Sequence, residues 1–249
     1  MQHTPYGPPR QYVAARLHSG ASVELDEPAA HHVARVLRMQ AGDALVLFDG
    51  TGGEYQASIA SIGRRAVRVA VGAHSAVERE ALIAVQVVQG VSAADRMDYT
   101  VQKAVELGAF AIQPVLCERS VVRLDAARAS SRVEHWRRIV IATCEQCGRN
   151  RLPEVRPVIG VADYCANPDP VAPRLLLSPE TPLRLSEAAA QVRDTAVIAI
   201  GPEAGFSPAE EALFLSGGFV QVRLGARILR TETAAPAALA ALHALKGEF

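Results

Sequence analysis

Two hydrophobic periodicities divide the chain. From residue 10 to about 72, short runs broken by Gly and Asp turns predict strands at 12–14, 22–25, 44–48, 54–59 and 66–71, with one helical insert at 29–38. That spacing suits a small barrel. Residues 72–80 form a short polar connection, so the expected domains are 1–74 and 75–249. Beyond the connection the texture changes, because the apolar run at 81–88 does not alternate and reads as a buried parallel strand. Further strands are expected at 109–116, 155–159, 174–177, 196–200 and 219–222. Between them, helical spacing predicts a helix capped by Asp95, carrying Met97, Val101, Ala104 and Val105 and closed by Gly108. A second helix is expected at 131–147, opened by a Ser131–Glu134 capping box and striped by Val133, Trp136, Val140 and Cys144; others follow at 183–192, 207–215 and 233–245. Strand and helix in alternation are the signature of an α/β fold, a mostly parallel sheet with helices on both faces.

Composition changes this picture little. Hydrophobic residues make up 49% of the chain, as in a globular protein. No apolar run approaches the length that crosses a bilayer, and the opening MQHTPYGPPRQY lacks the apolar core of a signal peptide. The expected compartment is therefore the cytoplasm, with no membrane partner. Cys117, Cys144, Cys147 and Cys165 have no second pair or neighbouring His that completes a zinc site, so free core thiols and no metal are expected.

Charge distribution changes the picture more. The 26 basic and 26 acidic residues cancel, yet from Arg119 to Arg156 nine arginines stand against four acids, so a neutral chain can present one basic face. Only Lys103 and Lys246 are lysines, and the planar guanidinium suits phosphate better than a point charge does.

Candidate chemistry gathers in two turns, IGPEAGFSP at 200–208 and LGARILRTETA at 224–234. Each follows a predicted strand and precedes a predicted helix, so both should open at one sheet edge. In the first, Gly201 and Gly205 can take backbone angles closed to other residues and Pro202 stiffens the neighbourhood, which lets bare backbone approach a ligand. Ser207, Pro208 and Glu210 read as a capping box with proline at the first helical position. In the second, Arg227, Arg230, Thr231, Glu232 and Thr233 supply more polar groups than a strand-to-helix connection needs. Two readings stay open on these grounds: a ligand site outside the carboxyl ends of the strands, or a well-capped loop beside a solvated one. The chain has no GxGxxG after an early strand, no Walker lysine motif and no GxSxG elbow, which weighs against dinucleotide, nucleoside triphosphate and hydrolase sites.

The segments GPEAGFSPAEEALF and LGARILRTETAAPAAL resemble the two C-terminal signatures of the SPOUT superfamily of methyltransferases, and specifically of the RsmE-type 16S ribosomal RNA uridine-N3 methyltransferases. Other stretches are similar in the family's order: HHVARVLR at 31–38 with Gly42-Asp43 and Phe48-Asp49-Gly50, the runs at 95–98 and 102–108, EQCGRNRLPEV at 145–155 and LLSPE at 176–180. The likeness spans essentially the whole chain. It implies a C-terminal SPOUT domain whose mostly parallel sheet is tied in a trefoil knot, which no periodicity argument yields, behind a small N-terminal PUA-like β-barrel that contacts RNA. It further implies S-adenosylmethionine as cofactor, 16S ribosomal RNA in the small ribosomal subunit as partner, and a homodimer formed through the alanine-rich helix at 234–245. Two departures stand out. Ala204 replaces a usual glycine, so its backbone angle must tolerate a methyl group or the turn must shift; Ser92-Ala93-Ala94 replaces a stretch that usually carries a lysine and a glycine.

Carried over by motif, the cofactor falls to Leu176, Leu177 and Ser178 in one turn and to Gly201, Pro202, Glu203 and Gly205 in the next. Leu224, Gly225, Ile228, Leu229, Thr233 and Ala234 complete that set. The N3 of uridine bears a proton between two carbonyls, so the site needs a base or a cation that stabilises the developing anion. Arg230 is the candidate cation and Glu232 the candidate base, although an arginine so near weakens it in that role, and a helix N-terminal residue facing the dipole is the alternative for Glu232. RNA contact is expected from Arg10, Arg16, Arg35, Arg38, Arg96, Arg149, Asn150 and Arg151, with Arg149 and Asn150 holding the flipped base or its phosphates. Two further functions remain open: an RNA-binding assembly factor without chemistry, and a SPOUT methyltransferase for another RNA.

Overall fold

The computed structural model describes residues 7–64, 66–167 and 173–249. The chain divides into two compact units, Met1–Glu80 with Ile141–Leu152, and Ala81–Val140 with Pro153–Phe249.

The first unit holds β1 (Arg10–Tyr12), β2 (Ser22–Glu24), α1 (Glu27–His31), β3 (Ala44–Phe48), β4 (Glu54–Ile62) and β5 (Val67–Ser75), in the sheet order β1-β3-β4-β5-β2. Alternation sets its core. Val67, Val69 and Val71 of β5 point inward with Leu45, Leu47 and Ile59, and Ala29, Ala30 and Val33 close over them. The helix predicted at 29–38 begins earlier, because Asp26 accepts from the Ala29 N–H at 2.9 Å and Pro28 sits in the first turn. It widens to a π-helical turn at His32–Val36, and the chain leaves it with Arg38 at φ 53°.

The second unit carries β6 (Ala84–Gly90), α2 (Ala94–Glu106), β7 (Ala109–Leu116), α3 (Ala126–Cys147), β8 (Glu154–Val155), β9 (Ile159–Gly160), α4 (Val161–Ala166), β10 (Arg174–Leu177), α5 (Leu185–Ala188), β11 (Thr195–Ile200), α6 (Pro208–Ser216), β12 (Phe219–Val222) and α7 (Thr231–Leu245). The last residues of α3 belong to the first unit. The strands run β12-β10-β11-β6-β7-β8, every pairing parallel, with β9 also on β7. Consecutive residues of β6 and β11 are buried, including Val85, Val87, Val88, Ala196, Val197 and Ile198, so the sheet is covered on both faces.

Several boundaries differ from the sequence reading, each for a local reason. The N-cap of α2 is Ala93, without a side-chain cap, and Asp95 lies inside the first turn. α3 begins at Ala126, where Asp125 accepts from the Arg128 N–H at 2.8 Å, so Ser131 and Glu134 are helix interior and form no cap. The strand predicted at 155–159 is two short pieces around Pro157, which cannot donate to a ladder. The helix predicted at 183–192 shrinks to α5 and a 3₁₀ turn at Ala189–Gln191, and α4 went unforeseen. The capping box of α6 forms as expected: the Ser207 N–H donates to Glu210 Oε2 at 2.8 Å, and Ser207 Oγ accepts from the Glu210 N–H at 3.3 Å.

Candidate cofactor site

Because β12, β10 and β11 are adjacent and parallel, the turns leaving their carboxyl ends meet at one sheet edge. They enclose a cavity of about 380 Å³. Leu177, Ser178 and Pro179 line it from the first turn; Ile200, Gly201, Pro202, Glu203 and Gly205 from the second; Val222, Leu224, Gly225 and the run from Arg227 to Glu232, with Ala234, from the third. Arg96 of α2 reaches the same space.

Glycine is required here for two distinct reasons. Gly205 at φ +70° and Gly225 at φ +102° occupy the left-handed region, and a Cβ on either would meet nothing within 4 Å, so their backbones face open space. Gly90 and Gly201 serve close approach instead. A Cβ on Gly90 would lie 2.5 Å from the Pro202 nitrogen, and one on Gly201 would lie 3.0 Å from the Gly205 Cα.

Side chains then fix the turns. Thr231, buried at the start of α7, donates its hydroxyl to the Gly201 carbonyl at 2.6 Å and accepts from Gln89 Nε2 at 2.9 Å. Glu203 Oε1 accepts from the Ala93 N–H at 2.8 Å and pairs with Arg96 at 3.1 Å, so it satisfies the backbone N–H of the N-cap residue. The remaining oxygen of Glu203 is buried without a hydrogen-bond partner, and so is Oε2 of Glu232. Arg230 sits exposed at the N-cap of α7, where the helix dipole adds positive potential.

Most of the expected cofactor residues therefore share one cavity with Arg230, Glu232 and Arg96. Two do not. Leu176 is 1% exposed and belongs to the sheet core, and Thr233 points to solvent outside the lining, one helical position round from the residues that face in. Pro179, Ile200, Val222, Arg227 and Thr231 line the cavity without having been expected as binding residues; the ends of the two apolar runs were the signal for Ile200 and Val222. Ala204 is exposed at a negative φ, so its methyl group needs no shift of the turn.

The expected RNA contacts in the first unit separate into two groups. Arg149 is 4% exposed and paired with Glu80, while Asn150 is fully buried and donates to the Val77 carbonyl at 2.6 Å and to Glu54 at 3.3 Å. Arg10 lies over the Phe48 ring, pairs with Glu54 and donates to Asn150 Oδ1. The polar groups of these three are largely engaged by other residues of the unit, unlike those of the exposed arginines expected beside them. Arg16, Arg35, Arg38 and Arg151 are exposed; Arg16 donates to Thr51 Oγ1 at 2.7 Å and Arg151 pairs with Glu78 at 3.1 Å.

The four cysteines are free, as expected. Burial, with the Glu210 charge next, pushes the Cys117 thiol up to about 12, and burial pushes Cys144 likewise to about 12. Among the described residues no cluster of His, Cys, Asp and Glu can hold a metal ion, and no helix is long and apolar enough to cross a membrane.

Comparison with known proteins agrees with this geometry. Residues 78–243 match the model of an RNA methyltransferase domain and residues 25–71 that of an RNA methyltransferase PUA domain. The chain is 30% identical over 241 residues to the ribosomal RNA small subunit methyltransferase E of Buchnera aphidicola, covering 97% of this chain and 95% of that protein. It superposes with a TM-score of 0.87 on ribosomal RNA small subunit methyltransferase E from Neisseria gonorrhoeae bound to S-adenosyl methionine, at 36% identity over 96% of this chain and 98% of that one. A Legionella pneumophila protein solved with bound SAM gives the same TM-score at 34% identity, covering 95% and 97%. A parallel sheet with its cavity at the strand ends, joined to a PUA unit, defines the class as an RNA methyltransferase. Within that class, the chain belongs to the ribosomal RNA small subunit methyltransferase E family.

Proposed function

We propose that this chain transfers a methyl group from S-adenosylmethionine to N3 of a uridine in 16S ribosomal RNA of the small ribosomal subunit, in the cytoplasm. The observation that carries the reading is the cavity enclosed by three strand-end turns, whose lining combines apolar residues and glycine backbone with Arg96, Arg230 and Glu232. The residues present fit the cofactor. Leu177, Ile200, Leu224 and Leu229 offer apolar walls to a purine, and Gly205 and Gly225 leave backbone uncovered. The two orphaned carboxylate oxygens, on Glu203 and Glu232, await a hydroxyl or ammonium donor. When bound, S-adenosylmethionine brings a methyl group already activated by its positive sulfur, so the work left to the protein is positioning and electrostatics.

The acceptor needs more help, because uracil N3 is a poor nucleophile until its proton leaves. Glu232 takes that proton, and Arg230 stabilises the negative charge that spreads over the uracil carbonyls. The exposed Arg16, Arg35, Arg38 and Arg151 hold RNA through phosphate, while Arg96 guides the nucleotide at the cavity. The C-terminal turns are tied as a trefoil knot, as the resemblance implies, and the hydrogen bond from Thr231 to the Gly201 carbonyl draws the last helix against the turn after β11. A second copy pairs through α7, whose outer side carries half-buried Ala237, Ala240 and Ala241, with Leu245 51% exposed at its end.

The test incubates the protein with labelled S-adenosylmethionine and, in parallel, unmodified small subunits, naked 16S ribosomal RNA and transfer RNA, and identifies the labelled nucleoside by mass spectrometry. The reading expects 3-methyluridine from the ribosomal substrates. Label in transfer RNA alone, or RNA binding with no label anywhere, removes it in favour of another substrate or of a non-catalytic assembly factor.

A further inference from the structure

The turn that follows β7 holds the cofactor turn from outside the cavity. Its residues Cys117 to Ser120 are tied at three points. Ser120 Oγ donates to the Val91 carbonyl at 3.0 Å, at the end of β6. The Glu118 N–H donates to Glu210 Oε1 at 2.8 Å. Arg119 donates from Nη1 to the Phe206 carbonyl at 3.2 Å and to the Ala204 carbonyl at 3.5 Å. Arg119 itself is exposed and lines no part of the cavity.

Those two carbonyls are the acceptor ends of two hydrogen-bond chains. The peptide that carries the Ala204 oxygen also carries the Gly205 N–H, which donates to the Pro202 carbonyl at 2.9 Å and so closes the tight turn. The peptide that carries the Phe206 oxygen also carries the Ser207 N–H, which donates to Glu210 Oε2 at 2.8 Å. A cation at one end of such a chain polarises every bond along it. Glu210 is 4% exposed and takes Ser207 with one oxygen and Glu118 with the other, so the second chain returns to the turn after β7, while the first closes within the 202–205 turn. Thr231 fixes the Gly201 carbonyl from the opposite side.

We infer that Arg119 is a positioning residue of the cofactor site, holding the Pro202–Phe206 turn in its binding shape through the Ala204 and Phe206 carbonyls without touching the ligand. This rests on the cofactor reading above, and the two can fail separately. Both bonds come from the one nitrogen Nη1, whose N–H groups are held in the fixed plane of the guanidinium, whereas a lysine ammonium is a rotating point charge on a flexible stem.

The test compares the whole wild-type chain with two variants, Arg119→Ala and Arg119→Lys. In protein without cofactor, amide hydrogen exchange over residues 203–207 is followed by mass spectrometry. Calorimetry then gives the S-adenosylmethionine dissociation constant, alongside binding of a 16S ribosomal RNA fragment. The expected result for Arg119→Ala is faster exchange confined to 203–207, roughly tenfold weaker cofactor binding, unchanged RNA affinity and an unmoved thermal midpoint, with Arg119→Lys intermediate. In turnover, KM for the cofactor rises and kcat at saturation holds. Unchanged exchange with unchanged cofactor affinity overturns the inference, and so does a loss of RNA affinity with cofactor binding intact, because Arg119 would then be an RNA contact. If wild type binds no S-adenosylmethionine, the cofactor reading falls, while exchange still decides whether Arg119 braces the turn. If Arg119→Ala unfolds, the exchange and affinity of Arg119→Lys decide in its place.

Discussion

Thr231 Oγ1 lies 2.6 Å from the carbonyl oxygen of Gly201, thirty residues earlier in the chain, with both groups at the cavity wall. Because the same hydroxyl accepts from Gln89, one small side chain joins β6, the turn after β11 and the start of α7. Thr231→Val keeps the shape and removes the hydroxyl, so the Gly201 carbonyl loses this donor and the buried Gln89 amide keeps only its bond to the Gly90 carbonyl. A loss of about 1–3 kcal/mol in urea denaturation is expected, with weaker cofactor binding. Thr231→Ser restores both, and a valine variant of wild-type stability and affinity contradicts the role.

Gly90 is a second joint at the same place. An added methyl group would stand 2.5 Å from both the nitrogen and the Cδ of Pro202, backbone and a rigid ring that cannot swing aside. Gly90→Ala is expected to cost about 1–3 kcal/mol and to displace the 201–205 turn, read as a lowered denaturation midpoint with weakened cofactor binding. Gly205→Ala has open space but a φ of +70°, so its cost comes from backbone strain alone.

Acid stability of the first unit should depend on Glu54. Burial alone raises its pKa, but hydrogen bonds from Arg79, Arg10 and Asn150 and the Arg10 charge outweigh that and hold the carboxyl below its ordinary 4.5. Its stabilising contribution is therefore present above pH 4.5 and disappears as pH falls through the lower folded value. Glu54→Gln should destabilise the unit at pH 7 and flatten the acid limb of its stability curve, measured by circular dichroism between pH 7 and 3. An unchanged limb removes Glu54 from this account.

Thiol reactivity gives a further check. With Cys117 and Cys144 pushed up to about 12 by burial and Cys165 to about 11, alkylation in the native protein at pH 8 should be slow at all three and fast after denaturation. Rapid native labelling of Cys117 contradicts the packing of the turn after β7.

Local chemistry was legible in the sequence wherever it acts over a few residues. Ser207, Pro208 and Glu210 announced the start of α6, and Gly201 and Gly205 announced a turn with bare backbone. The parallel sheet followed from apolar runs that do not alternate, such as that of β11. Long-range pairing was not legible. Arg149 reads as a free cation until folding brings Glu80 against it, sixty-nine residues away, and Asn150 reads as a polar tip until it is buried beside Glu54. Asp125 and Ser131 are equally good caps in sequence, and only the packing of α3 chooses between them. The shared cavity depends on which strands are neighbours, and the order β12-β10-β11 is not written in any single segment.

The central claim is that methyl transfer takes place where Arg230 and Glu232 face the cavity between the three turns. The most direct measurement is the single-turnover rate of methyl transfer to unmodified small ribosomal subunits by wild type, Arg230→Ala and Glu232→Gln, with the cofactor dissociation constant measured for each. The account predicts a fall of about 10²–10³ in rate for Arg230→Ala and about 10² or more for Glu232→Gln, with cofactor affinity nearly unchanged for Arg230→Ala. Wild-type rates in both variants would place the chemistry elsewhere and contradict it.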